Sequence, residues 1–129
     1  MSYKSRMVCD VFECKLELDQ LNKLAVEYFS GAKSFEYQFQ FDYEIGGRKY
    51  YYPINARESW ANNYDTDQLA VFLADVTEDQ ASIYFTGEDG SWWGYMIYPG
   101  RAMALQMLEG PILYENKERV KGGGNGTTQ

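Results

Sequence analysis

Glu88 and Asp89 stand side by side just before Trp92 and Trp93, and a carboxylate held against an indole wall can have its pKa raised into the range of a general acid. Adjacent residues of a tight turn usually project into water, so the pair suits recognition better than proton transfer. Asp65-Thr66-Asp67 offers several oxygens to a hard cation, but the glycine and distant glutamate of a calcium loop do not follow, and helix capping explains the motif better. The chain has no histidine, which removes the usual general base, the triad partner and the commonest metal ligand. Cys9 and Cys14 lie five apart in a segment that reads as one strand, which separates them by about 16 Å on opposite faces. They are expected as free thiols, and without a third thiol no zinc site forms. Gly122 to Gly126 lacks the strand before and the helix after that a phosphate-binding loop needs. No catalytic residue, metal or cofactor is expected.

Charge is the strongest asymmetry. Between Glu58 and Glu115 ten carboxylates face a single cation, Arg101, whereas residues 1–57 carry eight acids and eight bases. The net charge of −7 is therefore concentrated in the second half. Such a field repels nucleic acid and attracts basic protein surfaces. Lys4 and Arg6 near one end, with Lys117, Arg119 and Lys121 near the other, bracket this acidic body and read as solvated ends. No run of about 18 apolar residues is present, and the start of the chain lacks the apolar core of a signal peptide, so a cytoplasmic protein with no membrane segment is expected. A length of 129 residues with 45 % hydrophobic residues suits one folded domain, placed at residues 1–115, with a flexible glycine-rich tail at 116–129.

The elements that must position these groups follow from periodicity. Arg6 to Cys14 reads as a strand. Asp19 is placed to cap a helix whose Leu21, Leu24, Ala25 and Tyr28 form a stripe, with Gly31 past its end. From Phe35 to Ile45 every odd residue is apolar and every even one polar, which predicts a strand buried on its odd face. Gly46-Gly47 can close a two-residue hairpin that pairs Tyr43 with Tyr50, Phe41 with Tyr52 and Phe39 with Ile54, and sets Glu44 opposite Lys49. Pro53 predicts the end of the return strand or an edge position. Asn55 to Tyr64 reads as a loop. Asp65 and Gln68 resemble a capping box for a helix with the stripe Leu69, Phe72, Leu73 and Val76. Strands follow at Ala81–Thr86 and Trp92–Tyr98 around the turn Gly87 to Gly90, and Pro99-Gly100 signals another turn. Residues 101–108 favour helix by composition, but their short length and flanking turns place a meander strand there. Gly110-Pro111 marks a break before Ile112 to Tyr114. The predicted class is α+β, a mostly antiparallel hairpin-built sheet with two amphipathic helices on one face.

Twelve tyrosines and three tryptophans exceed what one small core can seal. The hairpin register sends Tyr51 away from Tyr50 and Tyr52, so Tyr51 is expected to be partly exposed, and of Trp92 and Trp93 only one can face the core. Exposed Tyr and Trp typify protein interfaces. The candidate binding residues are therefore Glu88, Asp89, Trp92, Trp93, Tyr95 and Tyr51, with Asp75, Glu78 and Asp79 supplying field.

The stretch Gly87-Glu88-Asp89-Gly90-Ser91-Trp92-Trp93-Gly94-Tyr95, with Gly100-Arg101, Ile112-Leu113-Tyr114 and the opening Met1 to Arg6, resembles the C-terminal hairpins and starts of small acidic bacterial and phage proteins. That resemblance implies binding of another protein and brings no catalytic residues. The expected function is a non-enzymatic inhibitor of a basic, nucleic-acid-handling protein, most concretely an anti-defence protein of a phage or mobile element. A toxin-neutralising immunity protein, a small-ligand module or minor enzyme with an aromatic pocket using Glu88 or Asp89, and a structural phage component are the alternatives.

Overall fold

The computed structural model describes residues 3–29, 37–57, 60–61, 65–107 and 113–119, with side chains through Leu105. Its elements are β1 (Ser5–Cys9), β2 (Phe12–Glu13), α1 (Leu18–Phe29), β3 (Phe39–Ile45), β4 (Arg48–Pro53), a 3₁₀ turn (Ile54–Arg57), α2 (Thr66–Val76), β5 (Ala81–Gly87), β6 (Trp92–Tyr98), β7 (Arg101–Met107) and β8 (Leu113–Arg119). The α+β class and the antiparallel pairing are as expected, and the strands divide into two sheets, β1-β5-β6-β7-β8 and β2-β4-β3. No helix among the described residues is long and apolar enough to cross a membrane.

The strand expected over Arg6 to Cys14 is broken at Asp10 and Val11. β1 pairs with β5, while β2 pairs with β4, so the chain passes from one sheet to the other within two residues. Asp10 anchors the break: its amide donates to the Ser82 carbonyl at 3.0 Å, and its carboxylate accepts from the Ser82 hydroxyl at 2.8 Å. A side chain that satisfies itself across strands lets the chain leave the ladder without orphaned groups. Cys9, the last residue of β1, is half-buried and Cys14, just past β2, is buried, and both are free thiols.

The first sheet is a meander whose turns use the expected residues. Thr86 pairs with Trp92 and Ala81 with Ile97 around the Gly87 to Gly90 turn. Gly100 has φ +87°, as the third position of a type II turn requires, and its amide donates to the Ala74 carbonyl of α2 at 2.9 Å. The segment from Arg101 is strand, held between β6 and β8. β8 runs on to Arg119, past the expected end at Tyr114, while residues 120–129 of the expected tail lie outside the described residues.

The start of α1 and the capping of α2 differ from expectation, although Asp65 does occupy the N-cap position of α2. α1 begins one residue before Asp19; the Gln20 side chain reaches back to the Glu17 amide at 3.0 Å, the returning half of a capping box, and Asp19 sits in the first turn where a negative charge suits the helix dipole. Leu21, Ala25 and Phe29 are buried, whereas Leu24 and Tyr28 are partly exposed. Gly31 lies outside the described residues. At α2, Asp65 adopts a left-handed conformation with φ 51° and makes no side-chain cap; its carbonyl instead accepts from the amides of Gln68 and Leu69.

α2 is buried on most of its circumference, because the expected stripe of Leu69, Phe72, Leu73 and Val76 is joined by Ala70, Val71 and Ala74. It packs on β6 and β7, and Phe72 on its other side meets Tyr28, Phe29 and Phe39, the last stacked at 5.6 Å. The core thus runs from Ile83, Phe85 and Ile97 through α2 to α1 and the inner face of the second sheet. Phe72→Ala should destabilise the protein by about 3–5 kcal/mol, since a ring shared by three elements leaves a void that none can fill alone. Leu24→Ala, at a partly exposed position, should cost about 1 kcal/mol or less by urea denaturation.

Candidate functional site

The carboxylates that drew attention first are structural. The Tyr3 hydroxyl donates to Asp89 Oδ1 at 2.7 Å, the Ser91 hydroxyl at 2.8 Å and the Ser91 amide at 3.1 Å, while the Lys4 amide donates to Glu88 Oε2 at 3.1 Å. A Cβ on Gly87 would fall on the Tyr3 hydroxyl, so the glycine makes room for this strap. Hydrogen bonds from Tyr3 and then Ser91 hold Asp89 down at about 2, the opposite of the raised value that acid catalysis at this turn would require.

Trp93 lies flat on Phe85, with centroids 5.3 Å apart and planes 9° apart, and its Nε1 donates to Thr66 Oγ1 at 3.2 Å. Tyr95 is buried, and its hydroxyl donates to Asp67 Oδ1. The Thr66 hydroxyl lies 2.8 Å from the same phenol oxygen, and because that phenol proton goes to Asp67, Thr66 is the donor. A chain of donors therefore runs from Trp93 through Thr66 and Tyr95 to Asp67 and fastens the start of α2 to β6. Burial, then Asp67, pushes the Tyr95 phenol well above its ordinary value. Tyr51, expected at the surface, is 1 % exposed and donates to the Leu16 carbonyl at 2.6 Å. Of the proposed ring anchors, Tyr51 and Tyr95 are thus closed off, Trp93 is part of the core wall, and Trp92 is half-buried.

Among the described residues the acids expected to supply binding contacts and field fall into two groups. Asp75, Glu78 and Asp79 lie at the end of α2 and before β5, whereas Glu88 and Asp89 follow it, so the strand's length, about 20 Å, separates the two groups. Burial raises the Asp75 carboxyl, Glu78 pairs with Lys15 at 3.7 Å, and Asp79 accepts from the Gln80 amide at 2.7 Å. Among the described residues no three acids or thiols gather as a metal site.

Sequence reasoning missed the outer face of the second sheet. Gly46 and Gly47 have φ of +59° and +82°, and Tyr43 with Tyr50 and Glu44 with Lys49 pair as predicted. Between Phe41 and Tyr43 the register shifts by one, so Phe41 opposes Tyr51 and not Tyr52, and Phe39 opposes Pro53 and not Ile54. A one-residue slip exchanges the faces of a strand. Tyr51 and Pro53 therefore point into the core with Phe39, and Tyr43, Ile45, Tyr50 and Tyr52 point out. Ile45 is 65 % exposed and Tyr43 39 %, and the Tyr43 and Tyr50 rings stack at 4.6 Å. Arg57 holds the bulge, lying 3.6 Å over the Tyr52 ring while bonded to Asp42 at 3.2 Å; Arg48 pairs with Glu13 at 3.2 Å. The result is an aromatic surface rimmed by neutralised ion pairs. Its trace in the sequence is Tyr50-Tyr51-Tyr52, a run without alternation that must send a ring outward in any register.

Tyr95→Phe should cost about 1.5–3 kcal/mol in chemical denaturation, because Asp67 loses the donor that ties α2 to β6. Asp89 has a folded value near 2 against an ordinary 3.8, so its contribution is complete above about pH 4 and is lost as pH falls through 2. Asp89→Asn should therefore lower the melting temperature at neutral pH, and the gap to the unaltered protein should close between pH 4 and 2. Comparison with protein-family models, with curated proteins and with solved structures found no match to this chain.

Proposed function

We propose that this chain is a non-enzymatic protein-binding domain, an acidic inhibitor or sequestering factor for a basic partner, whose contact surface is the outer face of the second sheet. One observation carries the reading: the bulge turns Tyr43, Ile45, Tyr50 and Tyr52 to the outer face, where a stacked tyrosine pair and an exposed isoleucine stand outside the core of the described residues. Rigid aromatics on a sheet give contact area at small entropic cost, and a polar rim excludes water from them. The net charge of −7 favours a basic partner through long-range steering. Close mimicry of a phosphate backbone is not part of this reading, since the carboxylates of 75–79 and 88–89 sit at opposite ends of β5. A nucleic-acid-handling enzyme of a host defence system has the charge such a partner needs, and a phage or mobile element is the setting in which such an inhibitor acts.

The double change Tyr43→Ser, Ile45→Ser should leave the fold intact and weaken capture of a basic partner by about tenfold or more, whereas Glu88→Gln with Asp89→Asn should not. Association of the unaltered protein should also weaken as salt rises past roughly 0.15 M, where the Debye length is about 8 Å. Identical partner sets from the unaltered and the Tyr43, Ile45 proteins would overturn the reading.

A further inference from the structure

β3 is the outer strand of the described β2-β4-β3 sheet, and among the described residues its outer edge is covered over only part of its length. Asn22 of α1 occupies the inner part: its side chain accepts from the Phe39 amide at 2.8 Å and donates to the Phe39 carbonyl at 3.1 Å. Phe39 therefore points its main chain away from β4, opposite Pro53, which has no amide to offer. Gln38 points inward, accepting from the Ile54 amide, so alternation turns Phe41 outward like Phe39. Past the bulge, the two-residue turn closes on Ile45 and Arg48; Ile45 and Tyr43 bond inward, and the main chain of Glu44 points outward. No described strand meets Phe41 or Glu44 on that side.

Charge decides what such an edge accepts. β3 carries Asp42 and Glu44 and no cation. Asp42 is committed to Arg57, but Lys49 opposite Glu44 sends its amine to Glu17, which leaves Glu44 without an ion-pair partner among the described residues. A second copy pairing antiparallel through β3 sets Asp42 against Asp42, or Asp42 against Glu44, when centred on residue 42 or 43. Like charges directly opposed are destabilising, and two bodies of net charge −7 repel on approach. A basic segment meets the reverse situation.

We propose that the Phe41–Ile45 edge of β3 receives an extended segment of a basic partner as a fourth strand, with its main chain on Phe41 and Glu44, a lysine or arginine at Glu44, and apolar side chains against Tyr43 and Ile45. This mode rests on the protein-binding reading above and gives it a geometry: main-chain bonds supply affinity and alternate side chains supply selection.

The test uses the full chain with a short peptide alternating valine and lysine, and a matched peptide alternating valine and glutamate. The lysine peptide should bind, weaken as salt rises, and slow amide exchange at Phe41 and Glu44 by about tenfold or more, while the glutamate peptide should not bind. Glu44→Pro removes the outward amide without touching the β4 ladder, and Glu44→Lys reverses the charge at the edge; each should reduce lysine-peptide affinity by about tenfold. If Glu44→Pro fails to fold, Glu44→Lys decides. Absence of lysine-peptide binding, equal binding of both peptides, or binding without slowed exchange at these two amides overturns the edge mode. So does concentration-dependent protection of the same amides in the protein alone, which would mark self-pairing. Loss of a partner in the Tyr43, Ile45 variant with no effect of either Glu44 change would remove the edge mode and leave the protein-binding reading standing.

Discussion

The extra residue between Phe41 and Tyr43 decides which side of the second sheet is interior. Without it, Tyr50 and Tyr52 would enter the core and Tyr51 would face water; with it, Tyr51 and Pro53 pack inward beside Phe39 and Phe12. Everything on that sheet follows: the Tyr51 hydroxyl meets the Leu16 carbonyl before α1, Phe39 stacks on Phe72, and α2 is sealed on the side away from β6 and β7. Arg57 stabilises the bulge by stacking on Tyr52 while bonded to Asp42, a contact that joins the 3₁₀ turn to the strand at the point of slippage. An exposed ion pair alone contributes little, but one that also covers a ring restricts both partners.

Several residues whose chemistry suggests a site hold the fold together. Asp89 collects donors from Tyr3 and Ser91 and so ties the start of the chain across the β5–β6 turn. Asp67 receives the buried Tyr95 phenol, and Thr66 relays between that phenol and the Trp93 indole. Tyr and Trp inside a small domain need such partners, because a buried donor left unmet costs more than the bond contributes. Carboxylates near indoles therefore have two readings, and the direction of the shift at Asp89 separates them.

Local features were legible in the sequence where one signal had one meaning. The Gly46-Gly47 turn, the pairs nearest it, the α2 stripe and the β5–β6 hairpin all follow from short-range chemistry. The bulge was not, because Asp42 looks like the next polar residue of an alternating strand and its consequence depends on Arg57, fifteen positions on. The break at Asp10 depended on Ser82 in the same way. Burial of Tyr51 and Tyr95 could not be read from residue type, since both satisfy their hydroxyls through partners distant in sequence. Charge totals were legible, but the spatial separation of the acids by β5 was not.

An edge strand beside exposed aromatic side chains is ordinarily an aggregation hazard, and proteins blunt it with charge, bulges or cover. Here all three appear at one strand: Asn22 covers the inner part, the bulge interrupts the middle, and Glu44 charges the outer part, Asp42 being paired with Arg57. Among the described residues these devices leave the Phe41–Ile45 part of the edge without a paired strand. Carboxylates alone on a strand oppose copies of the same chain and any acidic strand, and no described strand meets the outward main chain at Phe41 and Glu44. A lysine at such an edge would oppose copies of the chain equally well and would repel basic strands too. An acid at this position is thus the choice that the proposed pairing with a basic segment requires, and it sits in the second sheet, away from the two acidic groups that flank β5.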